Sequence, residues 1–419
     1  MFIKDIMRTS YLDNKWMRAA VPALLIHACI GSVYCWSLLK GDIATAVGWS
    51  VKEIEFAFSL AIFFLGMSAA FGGRFVEKNV TAASVVSCLC FSTGLLLTVF
   101  SIYTKSVLGI MLSYGCLMGI GLGIGYLSPV KTLMLWFNEH KGLATGIAIS
   151  GFGLSKVLFS PYIEWCTPKY GISTTLVSMS VISIFSMLLA AYLIQKPKDW
   201  VEPAVKWRLK DYYQVIKNGT YLKIWFVFYI NITCGLALIA FEKNIAIAVG
   251  IGAVGLLSSL TAFFNTAGRF GYSTMSDYTE NKQTIYKILL SSSVIVMLLG
   301  FVFGSSAIVI VLMLCVINAG YGGGFSTLPT LLQSKFGMEK ISTIHGLALS
   351  AWAWAGLSGN QLSNLIINQL GMTYEVLYIV LAALYFIALI LTFSIPKNKE
   401  AIDYDEQQQS LSKLDPSFV

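Results

Sequence analysis

The chain has 419 residues, of which 56% are hydrophobic and only 12% are charged, and its mean hydropathy is +0.73. Globular domains carry about 25% charged residues, so this chain has too few charges to cover a water-exposed surface of its size. The composition excludes a disordered chain, a secreted disulfide scaffold and a nucleic-acid-binding protein, and it predicts a polytopic membrane protein. The formal net charge of +8 is typical of Lys and Arg residues gathered in cytoplasmic loops.

Twelve apolar runs are each long enough to cross a bilayer, which takes about 20 helical residues. In chain order they are predicted at 18–40, 54–77, 81–103, 107–135, 142–165, 173–195, 222–242, 248–273, 284–304, 306–332, 343–368 and 373–395. The first residues contain no apolar core of a cleavable signal peptide, so the first span is expected to act as the insertion signal. Long continuous runs exclude a membrane barrel, whose segments alternate over about ten residues. They predict an all-α membrane protein.

One long polar segment, at 196–221, separates the runs into two sets of six. We therefore expect an N-terminal six-helix half at 1–195, a cytoplasmic central loop at 196–221, a C-terminal six-helix half at 222–396 and a disordered cytoplasmic tail at 397–419. Within the central loop, the string KWRLKDYYQVIK is typical of a short amphipathic helix on the membrane surface.

The distribution of Lys and Arg predicts the orientation of the chain. With both termini in the cytoplasm, 21 of the 29 Lys and Arg residues fall in cytoplasmic segments and 5 in outer loops. This bias follows the positive-inside rule, so we expect a multi-pass protein of the cell (inner or plasma) membrane with both termini cytoplasmic. The remaining three cations lie within predicted helices: Lys131, Lys156 and Arg269.

The two sets of six predicted helices contain similar short sequence strings. The string AFGGRF at 70–75 resembles NTAGRF at 265–270, and Pro129 and Pro329 occupy equivalent places. Two pseudo-symmetric six-helix halves around a site near the bilayer midplane are the plan of a secondary transporter.

Positive charges lie deep in the predicted spans, whereas none of the 21 Asp and Glu residues lies near the centre of a span. At 1.5 Å per residue, His27 lies about 13 Å and Lys156 roughly 21 Å from the start of their predicted helices, and Arg269 lies roughly 12 Å from the cytoplasmic loop at Asp277. A charged side chain at the bilayer centre costs at least about 2.5–3.5 kcal/mol, so an anionic ligand is the expected partner. A carboxylate matches the planar fork of Arg269 with two hydrogen bonds.

Each of these cations also has a structural interpretation. Arg269 is close enough to the cytoplasmic interface to snorkel, and Lys156 is close enough to the outer face. His27 is either a ligand contact, a proton site or a hydrogen-bonded core histidine. Lys131 is expected to snorkel towards the nearby end of its helix.

Aromatic residues are predicted to line a central cavity, where their rings would suit the carbon skeleton of a small carboxylate. The alternative for each of them is packing or lipid contact: Tyr34, Tyr126, Phe152, Tyr321, Trp352 and Trp354. The sequence has no metal-ligand spacing, and the glycine string at 115–125 lies in an apolar helix without a preceding strand, which indicates helix packing and not a nucleotide loop. We therefore expect a protein that is not an enzyme and needs no cofactor.

The loop after the second span, 73–78, reads GRFVEK and resembles the G-x-x-x-D-R loop signature of the major facilitator superfamily. The resemblance implies a gating role for Gly73, Arg74 and Glu77, and for Asp277 in the equivalent loop after the eighth span. More specific strings resemble the oxalate/formate antiporter family and the related monocarboxylate transporters. They are YCWS at 34–37, GWS at 48–50, WF at 136–137, KGLATG at 141–146, GFG at 151–153 and GR at 268–269.

This resemblance implies the major facilitator fold and secondary active transport of small organic anions, mono- or dicarboxylates, by alternating access. It implies that Arg269 binds the substrate within an aromatic cage that includes Tyr321 and Phe325. Two positions depart from the family pattern. Trp352 stands where the oxalate transporter has a lysine, and Asn265 stands where monocarboxylate transporters have an aspartate one turn before the arginine.

Without a carboxylate in mid-membrane, anion exchange or uniport is favoured over the alternative, a proton-coupled monocarboxylate symporter in which His27 or the substrate carries the proton. Lys156 is a candidate to replace the missing lysine. The expected partners are a small carboxylate and the lipid bilayer, with no nucleic acid, and the protein is expected to be a monomer. A membrane sensor built on a transporter fold is the rival from another class, although the loops are short for a signalling domain.

Overall fold

The computed structural model describes residues 14–200 and 209–397, and almost all of them are helical. Ten transmembrane helices are separate: α1 (Trp16–Val47), α2 (Val51–Lys78), α3 (Val80–Tyr103), α4 (Val107–Trp136), α7 (Gly219–Ala248), α8 (Val254–Asp277), α9 (Gln283–Val302), α10 (Ala307–Phe336), α11 (Ile341–Asn364) and α12 (Tyr374–Phe393). The run Lys141–Leu193 holds two more, because Gly171 breaks it with a φ of +81° into α5 (141–170) and α6 (172–193).

These twelve helices confirm the all-α membrane fold with two pseudo-symmetric six-helix halves, α1–α6 and α7–α12. A short helix, Leu209–Lys217, precedes α7 within the segment expected to be amphipathic. Most of the tail expected to be disordered lies outside the described residues. The eighth helix begins at Val254, later than the expected 248, because α7 runs to Ala248, Gly250 ends it with a φ of +78°, and the turn continues to Ala253.

Nine helical runs of the described residues are long and apolar enough to cross a membrane, and one of them, Lys141–Leu193, accounts for both α5 and α6. The exceptions are α8 and α11, which have a similar length but a more polar composition. Polar residues are tolerated in a transmembrane helix where they face protein or a water-filled cavity. Polar side chains of both helices are indeed buried inside the bundle, among them Ser273 and Ser276 of α8 and Thr343 and His345 of α11.

Local sequence signals determine where several helices begin and end. Ser50 opens α2 with a capping box, in which its backbone N–H donates to the Glu53 carboxylate at 3.0 Å. Asn79 and Asn218 open α3 and α7, and each accepts a hydrogen bond at 2.9 Å from the backbone N–H three residues later. Gly48, with a φ of +76°, ends α1. A side chain that satisfies a free N–H at a helix start typically contributes about 1 kcal/mol.

Both described ends of the chain lie at the same end of the bundle, which we call the inner side. Arg18, near the start of α1, donates from Nη1 to the Leu193 carbonyl at 3.4 Å, at the end of α6. Lys335, near the end of α10, donates to the Lys397 carbonyl at 2.9 Å. The opposite end of the bundle is the outer side.

The two halves meet where α2 packs against α11 and where α5 packs against α8. Small residues allow close approach: a Cβ on Gly66 would lie 2.6 Å from the Leu349 carbonyl oxygen, and one on Gly346 would lie 2.1 Å from that of Ala69. Close backbone packing is what holds transmembrane helices together, because lipid removes the hydrophobic driving force between them. Both polar helices, α8 and α11, are part of this interface.

Candidate functional site

Arg269 lies on α8 between the two halves, and only 2% of its surface is exposed. Its Nε donates a hydrogen bond to Asn265 Oδ1 at 2.9 Å, and its Nη1 donates to the Ile149 carbonyl of α5 at 3.2 Å. Both acceptors are neutral, and no carboxylate within the described ranges forms an ion pair with this guanidinium. The side chain does not snorkel, so its positive charge stays inside the bundle.

Aromatic rings from both halves surround Arg269. Its Cζ lies 5.9 Å from the centre of the Phe152 ring and 5.5 Å from that of Phe325, and a desolvated cation–π contact contributes about 2 kcal/mol. Neighbouring rings in this group lie 4.4–5.9 Å apart. We call the group the aromatic cage: Tyr34, Tyr126, Phe152, Tyr321, Phe325 and Trp352. The structure thus brings together six of the aromatic residues singled out from the sequence.

Glycines make room for the aromatic cage. Helix α1 tightens into a 3₁₀ turn at Gly31–Cys35, and a Cβ on Gly31 would lie 2.4 Å from the Phe152 carbonyl oxygen. A Cβ on Gly322 of α10 would lie 2.1 Å from the Asn265 carbonyl oxygen and 2.9 Å from Cγ of Arg269. Only glycine lets these backbones pass so close to the site.

The aromatic cage also carries polar atoms. The hydroxyl oxygens of Tyr34 and Tyr321, on opposite halves, share a hydrogen bond of 3.4 Å. The Tyr126 hydroxyl and Trp352 Nε1 are buried and have no hydrogen-bond partner in the part of the chain that the structure describes. A buried polar group without a partner costs about 1–3 kcal/mol, so both groups are candidates for contact with a ligand.

His27 lies behind the aromatic cage and bridges three helices of the N-terminal half. The residue is fully buried on α1. Its Nδ1 faces the Ala148 carbonyl of α5, and its Nε2 lies 3.2 Å from the Tyr126 carbonyl of α4. Its ring is 6.2 Å from that of Phe152. A neutral imidazole donates from one nitrogen only, so one of the two carbonyl contacts is unsatisfied unless the ring is protonated.

Lys156 lies on α5 one helical turn beyond Phe152, towards the outer side, and its side chain is partly exposed. Among the residues described, it forms neither a hydrogen bond nor an ion pair. It lies level with the part of α8 where Thr261 binds Glu242 of α7, because Gly153, three residues earlier on α5, packs against Thr266. Lys156 therefore lies next to the aromatic cage and not within it. Glu242 lies 86 positions after Lys156 in the sequence.

The expectation that Trp354 lines the cavity is wrong. Its side chain is 51% exposed, and its ring contacts that of Phe63 at 5.9 Å. Trp352, two residues earlier on α11, is only 1% exposed and belongs to the aromatic cage. Successive helical residues point in directions about 100° apart, so these two rings lie on nearly opposite faces of α11.

Two carboxylates at the inner ends of α2 and α8 cap helices of the opposite half. Glu77 accepts a hydrogen bond from the Ser342 N–H at 2.7 Å, at the start of α11. Asp277 accepts from the N–H groups of Gly142 and Leu143 at 2.6 and 2.8 Å, at the start of α5. The free N–H groups and the positive dipole at a helix start favour such carboxylates. We call these contacts the inner latch, because they join the halves at the inner side.

Lys131 takes part in the inner latch, so the expectation that it snorkels is wrong. The side chain is only 1% exposed and forms an ion pair with the Glu77 carboxylate. Next to this pair, a Cβ on Gly73 would lie 2.5 Å from Cα of Thr343, which explains the need for glycine there. Arg74, in contrast, is exposed.

Two residues near the site were not singled out from the sequence. His345 of α11 is buried beside Tyr126, with ring centroids 6.0 Å apart, and its Nε2 lacks a hydrogen-bond partner among the described residues. The sequence signal that could have identified His345 is a histidine within an apolar run. Glu242 accepts a hydrogen bond from the Thr261 hydroxyl at 2.8 Å. Its place near the end of a span gave no indication of a role.

The aromatic cage offers one fixed positive charge, two free polar groups and apolar ring faces. Such a site suits a small anion whose charged group binds the guanidinium and whose carbon skeleton contacts the rings. Within residues 14–200 and 209–397, no three His, Cys, Asp or Glu side chains lie close enough together to hold a metal ion.

A family model described as Major Facilitator Superfamily matches residues 23–360. The chain is 24% identical over 399 residues to the oxalate:formate antiporter of Oxalobacter formigenes, with 93% of each chain covered. It is 27% identical over 158 residues to monocarboxylate transporter 13 of Bos taurus, with 38% of this chain and 34% of that protein covered. The fold is similar to the crystal structure of FucP, a Major Facilitator Superfamily transporter, in the outward conformation. The TM-score is 0.68 at 12% identity, with 90% of this chain and 98% of that chain covered.

Proposed function

Because the chain belongs to the Major Facilitator Superfamily, we propose that it is a secondary active transporter of small organic anions, mono- or dicarboxylates, that works by alternating access and by anion exchange. Membership of the family makes it a multi-pass membrane transporter and not an enzyme. The names of two relatives support the substrate class, since one is an oxalate:formate antiporter and the other a monocarboxylate transporter.

The observation that carries this proposal is the buried guanidinium of Arg269, held by neutral acceptors inside the aromatic cage. A guanidinium has five N–H donors, and these two hydrogen bonds leave donors for a carboxylate, which would bind with charge-assisted hydrogen bonds. The Tyr126 hydroxyl and Trp352 Nε1 would bind further oxygen atoms of the anion. The rings of the cage would contact its carbon skeleton.

The same charge argues for exchange. The inner latch is closed, so the aromatic cage is shut off from the inner side. Between its two open states the carrier must pass through an occluded state, in which an unpaired buried charge costs several kcal/mol. A bound carboxylate offsets this cost. The loaded carrier would therefore reorient faster than the empty one, and uptake of one anion would require release of another.

A proton-coupled monocarboxylate symporter is the second candidate, and the surroundings of His27 favour it. Both of its ring nitrogens face backbone carbonyl oxygens, and only an imidazolium can donate a hydrogen bond to both. In this alternative, a carboxylate bound at Arg269 offsets the guanidinium charge and allows His27 to take up a proton. Anion and proton would then cross the membrane together.

Transport by the purified protein in proteoliposomes tests the proposal, with labelled oxalate, formate and lactate as probes. We expect saturable uptake only into vesicles that contain a carboxylate. Uptake into anion-free vesicles that is driven by an inward proton gradient, with external alkalinisation, would instead support the symporter. The absence of saturable uptake or exchange for every carboxylate would refute the proposed substrate class.

The bias of Lys and Arg supports a further part of the proposal. The inner side faces the cytoplasm of the cell membrane, with the halves at 1–195 and 222–396 on either side of a cytoplasmic loop at 196–221 and with a cytoplasmic tail at 397–419. We also propose that the protein acts as a monomer. A reporter fused after Val419 that is active only in the cytoplasm tests the orientation. Light scattering of the detergent-solubilised protein tests the monomer.

A further inference from the structure

A second pair of opposite charges faces across the two halves, on the outer side of the aromatic cage. Lys156 belongs to α5 in the N-terminal half, and Glu242 belongs to α7 in the C-terminal half. Gly153 of α5 packs against Thr266 of α8, where a Cβ would lie 2.9 Å from the Thr266 Oγ1. Lys156 and Thr261 lie three and five residues further towards the outer side, at about the same level relative to this contact, and within the described residues neither Lys156 nor Glu242 forms a direct ion pair. The Thr261 hydroxyl of α8 holds the Glu242 carboxylate with a hydrogen bond of 2.8 Å.

Both charges lie close to the entrance of the aromatic cage. Lys156 follows Phe152 by four residues, and Thr261 precedes Arg269 by eight, which places them about 6 and 12 Å further along their helices towards the outer side. Cys35, next to Tyr34 in sequence, contacts the same outer part of α5, because its Sγ lies 3.7 Å from the Ser160 hydroxyl oxygen, one turn beyond Lys156. Because the inner latch joins the halves at the inner side, a ligand of this conformation would approach the cage from the outer side, where the charged pair lies.

We propose that Glu242 makes the carrier selective for singly charged anions by neutralising Lys156. This inference rests on the proposed function and narrows its substrate class to monoanions. With Lys156 offset by Glu242, Arg269 is the net positive charge available to a ligand. A bound monocarboxylate makes the occluded site neutral. A dicarboxylate leaves it with an excess negative charge, which is unfavourable where water is excluded.

Glu242 would also act directly against a second carboxylate on the ligand. To bind Lys156, that carboxylate must displace Glu242, which is held in place by the Thr261 hydroxyl. If it does not displace Glu242, two like charges lie close together in a partly buried site. Selectivity of this kind arises from an unfavourable contact with the wrong ligand as well as from favourable contacts with the right one.

The test is the ratio of affinities for monoanions and dianions, measured by inhibition of exchange in proteoliposomes with acetate and lactate against malonate and succinate. We expect the wild type to prefer monoanions. Glu242→Gln removes the negative charge that offsets Lys156. The affinity for dianions relative to monoanions should therefore rise roughly tenfold, the size expected for one charge–charge interaction. Lys156→Gln combined with Glu242→Gln should return the ratio to that of the wild type.

The matched control is the ion pair between Lys40 and Glu55, which is 2.7 Å long and more exposed than the Lys156–Glu242 pair. Glu55→Gln should leave the ratio unchanged. Both affinities in a ratio are measured on the same protein, so a smaller folded fraction of a variant does not change the ratio. A wild-type preference for dianions, or an unchanged ratio in Glu242→Gln, would overturn the inference while leaving carboxylate transport intact. If no carboxylate inhibits exchange or is taken up by the wild type, the proposed function itself has failed.

Discussion

Replacing Arg269 by lysine separates the role of its charge from that of its planar fork. In the structure, Nε binds Asn265 at 2.9 Å while Nη1 binds the Ile149 carbonyl at 3.2 Å. The three donors of an ammonium group on a flexible stem cannot hold these two acceptors and also bind both oxygens of a carboxylate. We expect the loss of one charge-assisted hydrogen bond, about 1.5–3 kcal/mol. The dissociation constant of a carboxylate should therefore rise by about 10- to 150-fold.

The assay is the concentration dependence of carboxylate exchange in proteoliposomes, together with ligand-induced thermal stabilisation of the purified protein. Arg74→Lys is the matched control, because Arg74 lies in the same Gly-Arg-Phe string but is exposed. An exposed substitution changes free energies by less than about 0.5 kcal/mol. The affinity of Arg74→Lys for a carboxylate should therefore stay within about twofold of the wild-type value. If Arg269→Lys also stays within about twofold, the guanidinium does not bind the substrate, and the argument from its buried charge is refuted.

The inner latch and the close glycine contacts allow three more tests. Asp277→Asn removes the charge that caps α5 and should weaken the inner latch by about 1–2 kcal/mol. Spin labels at the inner ends of α5 and α8 should then report a larger fraction of molecules with these ends apart, and an unchanged distance distribution would contradict the capping role. Gly142→Ala places a Cβ 1.9 Å from a backbone oxygen of α8 and should slow exchange, whereas Gly271→Ala, which meets nothing within 4 Å, should not. Equal exchange rates for these two variants would count against the contact. Lys131→Met leaves the Glu77 charge buried without its cation and should cost about 3–5 kcal/mol of stability, seen as a lower melting temperature. Adding Glu77→Gln should recover most of that loss, and a double variant as unstable as the single one would argue against the ion pair.

The class of fold and the residue at the centre of the candidate site were predictable from the amino-acid sequence. The number and length of apolar runs are local properties, and a bilayer demands about 20 apolar residues for each crossing, so twelve helices in two halves were predictable. Arg269 stood out because an arginine in an apolar run is costly wherever the helix packs. Equivalent strings in the two halves indicated that the site lies between them.

Which side chains meet depends on how the helices pack. Lys131 pairs with Glu77 across 54 positions, and Tyr34 meets Tyr321 across 287. Lipid and protein interior are both apolar, so hydrophobic periodicity does not show which face of a transmembrane helix points inward. Trp352 and Trp354 therefore looked equivalent in the sequence, and only the packing of α11 buried one ring beside the guanidinium and left the other largely exposed.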